Sequence, residues 1–211
     1  MKNSKFNKYD CLVLAGRNHG LATLNFLNKS NKYNIIAIFT HKFNPKSYDV
    51  EQKERSDYSD YEKFAKTNSI PLHTINKSDQ KFLLDDFCLE QNYDFLISVS
   101  WRYLISPKVF LKSNIGSINL HRGDLPKYAG AEPIKRALQN SEKFIYVSSH
   151  NITTNYDEGK VICKSQHPTN YNKQKSLDEN VERLKTEITN YFPQLTIKSL
   201  EFLVGSKHDE E

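Results

Sequence analysis

The sequence predicts an α/β fold built on a doubly wound, mostly parallel sheet, and three observations predict it. Short runs rich in Leu and β-branched residues, at residues 11–15, 35–40 and 94–99, are each followed by a turn and a helix-like pattern. The runs are apolar throughout instead of alternating, as strands are when helices cover both faces of a sheet. The whole of 211 residues, free of internal repeats and long low-complexity stretches, fits one domain with a sizeable core. Alternating strand and helix signals then imply the doubly wound arrangement.

The elements follow in chain order. CLVLA at residues 11–15 is the first strand, and the turn AGRNHG leads into apolar residues at helical spacing over 21–27. IIAIFT at 35–40 is the second strand. From 43 to 60 the chain is polar, has no strand signal and is long for a connection, so it is either free to move or a cover over a substrate. Ser59 opens a helix over 59–66, and Asp79 opens another over 79–89 with Phe82, Leu83 and Phe87 on one face. DFLISV at 94–99 and the stretch 116–120 are strands, 133–138 is a helix, and 144–151 with 161–164 are two short strands around a turn at 156–159. Leu184, Ile188, Leu195 and Leu200 recur along a closing helix over 177–203 that Pro193 interrupts, and a leucine stripe of this kind is ordinarily core packing. The expected core runs from about residue 10 to 165, with a short carboxyl-terminal helical extension over about 176–204.

Composition excludes several classes. A net charge of +5 suits an anionic ligand such as a nucleotide or phosphate, but Lys and Arg are scattered among acids, so nucleic acid is not demanded. The apolar share of 37% and mean hydropathy of −0.69 reflect polar loops and helix faces around concentrated apolar strands. The first apolar run, residues 11–16, is too short for a signal sequence or a membrane span, which leads to the expectation of a cytoplasmic protein without a membrane partner. Three widely spaced cysteines, Cys11, Cys88 and Cys163, favour reduced thiols over a disulfide frame. Seven histidines without paired-ligand spacing give no metal site.

Two places can carry chemistry. The AGRNHG turn sits at the carboxyl end of the first strand, where open α/β sheets bind ligands. With only Gly16 and Gly20 it is not the dinucleotide fingerprint. Its backbone donors and Arg17 could receive a phosphate, or Asn18 and Gly20 could merely shape a tight turn. The second place is Asn119 and His121, two apart on a strand and so on one face, with Asp157 in a later turn. An amide that donates to a developing oxyanion and an imidazole held by a carboxylate are the parts needed for acyl transfer to an amine. A backbone-bonded His121 and a turn-forming Asp157 are the plainer alternative on pattern alone.

The sequence resembles the folate-dependent formyltransferases, whose pattern is N-x-H-x-S-x-L-P-x-x-x-G followed by a D-x-G turn. Here it reads Asn119, His121, Leu125, Pro126 and Gly130, then Asp157 and Gly159, with Gly123 in place of the usual Ser. Weaker similarity extends from about residue 11 to 203. The resemblance implies a Rossmann-like domain and N10-formyltetrahydrofolate as cosubstrate. It implies direct transfer, with Asn119 and His121 bonding the tetrahedral oxygen, His121 handling the amine proton and Asp157 orienting the imidazole. It also implies cofactor contacts from SWRYLISP, through Arg102, Tyr103, Leu104 and Ile105, and from Gly159, with His150 supporting the substrate side.

Among acceptors, the resemblance is greatest to sugar N-formyltransferases. It implies a nucleotide-linked amino sugar, dTDP-4-amino-4,6-dideoxyhexose, as used in surface polysaccharide, with Arg17, Asn18 and Lys77 toward the diphosphate. After Asp157 only residues 158–211 remain, which argues against a tRNA acceptor. Phosphoribosylglycinamide formyltransferase and formyltetrahydrofolate hydrolase are the alternatives, and a homodimer is compatible with the family.

Overall fold

The computed structural model describes residues 8–46 and 49–208, with the side chains of Ser78 and His208 left aside. The basic start at residues 1–7, and Ser47 and Tyr48 of the polar stretch, lie outside the described residues.

Seven strands form one sheet. They are β1 (Tyr9–Ala15), β2 (Tyr33–Thr40), β3 (Leu72–Thr74), β4 (Phe95–Val99), β5 (Gly116–His121), β6 (Phe144–Asn151) and β7 (Val161–Pro168), in the spatial order β3-β2-β1-β4-β5-β6-β7. The pairs from β3 to β5 are parallel, and β6 and β7 close the far edge as an antiparallel hairpin. The order reverses at β1, so a crevice opens between β1 and β4 at their carboxyl ends.

Period-two alternation divides the core. Cys11, Val13 and Ala15 of β1 join one apolar cluster with α1 (Arg17–Lys29), α2 (Tyr58–Asn68) and the carboxyl-terminal helices. Leu12 and Leu14 join the other, with Leu84 and Cys88 of α3 (Phe82–Glu90) and Val109 and Phe110 of α4 (Pro107–Phe110). Both faces are covered, which is why the strands read as unbroken apolar runs.

Several expectations change. β3 and α4 have no counterpart in the sequence reading, because three and four residues are too few for a periodic signal. The segment expected as a helix over 79–89 is a 3-10 turn, Ser78–Lys81, followed by α3, and its buried side is different. Phe82 is 55% and Leu83 42% exposed, whereas Leu84 is 3% exposed and Cys88 is buried beside it. The closing segment is two helices, α6 (Leu177–Glu187) and α7 (Tyr191–His208). The break falls before Pro193, which sits in the first turn of α7 where a missing N–H costs nothing. Ser176 caps α6, its hydroxyl accepting from Glu179 N at 3.2 Å.

The polar stretch 43–60 is held at several points. Phe43 and Glu54 form an antiparallel bridge, and Arg102 donates to the Phe43 carbonyl. Arg55, 3% exposed, pairs with the buried Asp57 at 2.7 Å and donates to Thr40 Oγ1 and the His41 carbonyl. Asp57, not Ser59, stands at the amino end of α2, and its carboxylate serves Arg55 instead of capping the helix. Cys11, Cys88 and Cys163 are free thiols.

Candidate active site

The site is assembled at the carboxyl ends of β1, β4 and β5. A cavity of about 260 Å³ there is lined by His19, Ser98, Trp101, Asn119, His121 and Asp157 among others. Asn119 and His121 both reach it, as residues two apart on β5 should. β6 runs antiparallel to β5 with His150 directly opposite Asn119, so the second imidazole meets the amide by register.

Asp157 is the hub. Held at φ 55° in the turn after β6, it accepts from the Gly130 N–H at 2.9 Å through Oδ2, and the same oxygen lies 3.2 Å from His121 Nδ1. Its Oδ1 faces Asn119 Nδ2 and His150 Nε2, each at 3.4 Å. Burial raises the Asp157 carboxyl pKa, but its histidine and backbone contacts outweigh burial and hold it below the usual range. Burial is also the largest influence on His121, lowering its pKa against the opposing pull of Asp157 and the Tyr128 carbonyl.

Both ring nitrogens of His121 face acceptors, Nδ1 the carboxylate and Nε2 the Tyr128 carbonyl at 2.8 Å. An imidazole so placed can take a proton and hold the resulting cation at both ends. Gly123 makes the second contact possible. A Cβ there would lie 2.6 Å from the Tyr128 oxygen and 2.7 Å from His121 Nε2, so a serine at this position would wedge the pair apart. Ser148 donates to the Gly123 carbonyl at 2.6 Å and fixes the loop.

Of the other residues expected at the site, Tyr103, Leu104 and Ile105 line the cavity. The Tyr103 hydroxyl is turned away to donate to the Asn76 carbonyl at 2.9 Å. Arg102 does not line it, because its guanidinium is spent on the Phe43 carbonyl. Gly159 does not line it either: it packs under Asn151, whose carbonyl a Cβ would meet at 1.7 Å. Lys77 is exposed beside the 3-10 turn and lines neither this cavity nor the next. His150 sits against Asn119 and Asp157.

A second cavity of about 490 Å³ adjoins the first and shares His19, Arg122, Glu132 and Pro133 with it. Arg17, Asn18, Lys135, Glu182 and Lys185 also line it. Lys135 pairs with Asp178 at 3.0 Å and Lys185 with Glu182 at 2.6 Å, while Arg17 donates to Asn44 at 3.4 Å. Arg122 is half-buried, and burial followed by the Arg17 charge lowers its pKa, opposed by Glu182. Arg17 and Arg122 thus both line this cavity, with Glu132 and Glu182 beside them.

His19 and Arg122 were not singled out in the sequence. His19 is buried against Phe192, their ring centres 4.4 Å apart, with Nε2 at 2.5 Å from Ser100 Oγ, and burial drives its pKa well below the ordinary value. Arg122 follows His121 just past the end of β5 and lines both cavities, and no periodic signal marked it in the sequence. Among the described residues no group of three or more His, Cys, Asp or Glu could hold a metal ion. Among the described residues no helix is long and apolar enough to cross a membrane.

Residues 11–196 match the family described as formyl transferase. The chain is 28% identical over 172 residues to the methionyl-tRNA formyltransferase of Kosmotoga olearia, covering 80% of this chain and 51% of that protein. It is 35% identical over 142 residues to that of Orientia tsutsugamushi, covering 65% and 43%. The chain thus spans about half the length of the curated relatives it matches. Among solved structures, a formyltetrahydrofolate deformylase from Pseudomonas syringae pv. tomato is similar with a TM-score of 0.72 at 18% identity, over 92% of this chain and 62% of that one. A phosphoribosylglycinamide formyltransferase from Coxiella burnetii gives 0.67 at 20% identity, over 94% and 89%. At such identities the likeness is one of fold.

Proposed function

The chain belongs to the formyl transferase family, and from that premise we propose that it moves a formyl group from N10-formyltetrahydrofolate to the amine of an anionic acceptor. The observation that carries the reading is the meeting of Asn119, His121 and Asp157 at one wall of a cavity, with the carboxylate 3.2 Å from the imidazole. The folate supplies the formyl carbon. The amine nitrogen bonds to that carbon, the carbon's bond to the folate nitrogen breaks, and the proton leaving the amine is returned to the folate nitrogen. Asn119 donates to the carbonyl oxygen as it becomes negative, which lowers the barrier because the donor is already in place. The His121–Asp157 pair carries the proton between the two nitrogens, and the carboxylate offsets the charge of the imidazolium.

Trp101, Tyr103, Leu104 and Ile105 offer a flat, largely apolar wall for the ring end of the folate. The Trp101 indole N–H is buried and has no hydrogen-bond partner among the described residues. For the acceptor, Arg17 and Arg122 in the adjoining cavity support a phosphate or diphosphate. The finer reading is a nucleotide-linked amino sugar, dTDP-4-amino-4,6-dideoxyhexose, and it rests on the sequence resemblance. The relatives named as methionyl-tRNA formyltransferases favour a second reading, in which the amine is that of methionyl-tRNA. In either case the core of residues 10–165 and the helices after it act as one catalytic domain.

The test incubates the purified protein with formyltetrahydrofolate and, separately, the amino-sugar nucleotide, phosphoribosylglycinamide and methionyl-tRNA. Mass spectrometry then looks for one added formyl group. Formylated sugar nucleotide supports the finer reading, and formylation of another acceptor replaces it. Formate released without an acceptor makes the protein a hydrolase, and no turnover under any condition overturns formyl transfer. Arg122→Gln is expected to raise the KM for a phosphorylated acceptor about tenfold while leaving that for the folate unchanged.

A further inference from the structure

We propose that His150 is a positioning residue whose tautomer is set by the Asn151 backbone carbonyl, and that Gly159 exists at its position to let that carbonyl approach. For a neutral His150 ring, the closest contacts around Asn119 favour one assignment of protons, set first by the Asn151 carbonyl. His150 Nδ1 lies 2.9 Å from the Asn151 carbonyl oxygen, which can only accept, so Nδ1 carries the hydrogen. In the neutral ring Nε2 is then a lone pair, and it accepts from Asn119 Nδ2 at 3.0 Å. That turns the amide oxygen the other way, where the buried Ser98 hydroxyl donates to it at 2.8 Å.

The opposite tautomer fails at both ends. A hydrogen on Nε2 would gain the Asp157 carboxylate at 3.4 Å but face the amide N–H at 3.0 Å, and a bare Nδ1 would face the carbonyl at 2.9 Å, so its two shortest contacts would be repulsive. A rotated amide fails as well. Its oxygen would meet the lone pair of Nε2 and the Asp157 carboxylate, 3.4 Å from the present amide nitrogen.

The consequence reaches the chemistry. With one amide hydrogen committed to His150, the second has only the long contact to Asp157 at 3.4 Å, the weaker of the two, and is the one an incoming oxygen in the cavity would take over. His150 thus decides that Asn119 presents a donor and not an acceptor.

The carbonyl reaches the ring because of two backbone features. The β6–β7 ladder shifts register between Ser149 and His150. Gly159 then passes so close that a Cβ would lie 1.7 Å from the Asn151 oxygen and 3.3 Å from His150 Nδ1. Any side chain at 159 must push the carbonyl away from the imidazole.

The inference deepens the formyl-transfer reading, and only its kinetic consequences rest on that reading. The experiment is nitrogen-15 NMR of the full chain labelled at histidine, with His150 assigned by its loss in His150→Gln. Neutral His150 is expected with a protonated Nδ1 and a bare Nε2. A ring protonated at Nε2 overturns the proposal, whatever the enzyme does. In Gly159→Ala the signature is expected to shift toward Nε2–H, with kcat down about tenfold and the KM for formyltetrahydrofolate unchanged. An Ala variant that keeps both the Nδ1–H signature and kcat overturns the role of Gly159. A further pair needs no change at the glycine. His150→Gln keeps an oxygen acceptor for Asn119, whereas His150→Leu keeps bulk without one, so Gln is expected to retain about tenfold more kcat than Leu. Equal kcat in the two overturns the proposal.

Discussion

At the scale of single residues, the chemistry depends on which atoms face which. Asn119→Ala removes the proposed oxyanion donor, and kcat is expected to fall about 100- to 1000-fold with little change in the KM for folate, measured by steady-state kinetics. Asp157→Asn removes a charge that raises the His121 pKa against burial. The NMR titration midpoint of His121 is therefore expected to move to lower pH in that variant, and a midpoint that rises or stays would show the carboxylate to be idle. That these residues come together was legible from the N-x-H spacing and the later acid. What the sequence could not show was that His121 would have acceptors at both ring nitrogens, because the Tyr128 carbonyl comes from a loop whose path depends on Gly123. Arg102, Lys77 and Gly159 show the reverse. Their residue types suit ligand contact, but local packing gives each another place.

At the scale of elements, α1 is brought onto β1 by a glycine. A Cβ on Gly20 would lie 2.5 Å from the Tyr61 hydroxyl and 3.2 Å from the Ala15 Cβ. Two effects oppose one another in Gly20→Ala. Helix propensity improves by about 1 kcal/mol, while overpacking against a well-filled core costs about 1–3 kcal/mol. Tyr61 is fully buried and donates to the Arg17 carbonyl at 2.8 Å, so it has nowhere to move and overpacking wins. Urea denaturation is expected to show a net loss of up to about 2 kcal/mol; a gain would mean that Tyr61 yields. The long strands and helices were readable because their apolar periodicity extends over several residues. The side of α3 that is buried was not, since Phe82, Leu83 and Leu84 are adjacent and equally apolar, and the packing against α4 decides among them.

At the scale of the molecule, the parallel sheet collects histidines at its carboxyl end and withdraws them from water. Burial drives His19 well below its ordinary pKa, takes His41 down to about 3 and lowers His121. In the unfolded chain each takes up a proton below about 6.5, which the folded chain resists, so the unfolded state binds more protons and stability falls with falling pH. Asp157, depressed in the fold, contributes stability that is present above its unfolded value and lost as pH falls through its folded one, in the same direction. Calorimetry is expected to show Tm declining steadily from neutral pH toward pH 4, beginning near the unfolded histidine pKa of about 6.5. A flat profile over that range would contradict the burial of these rings. The sequence by itself determined the layered α/β order, the strand carrying Asn119 and His121, and the acid that serves them, because short-range periodicity and residue chemistry are local properties. Only the tertiary structure decided that His150 would stand opposite Asn119, that Arg17 and Arg122 would line one second cavity, and that the loop holding Arg55 would lock onto the sheet. Those pairings depend on strand register and loop path, which join residues far apart in the chain and leave no periodic trace in it.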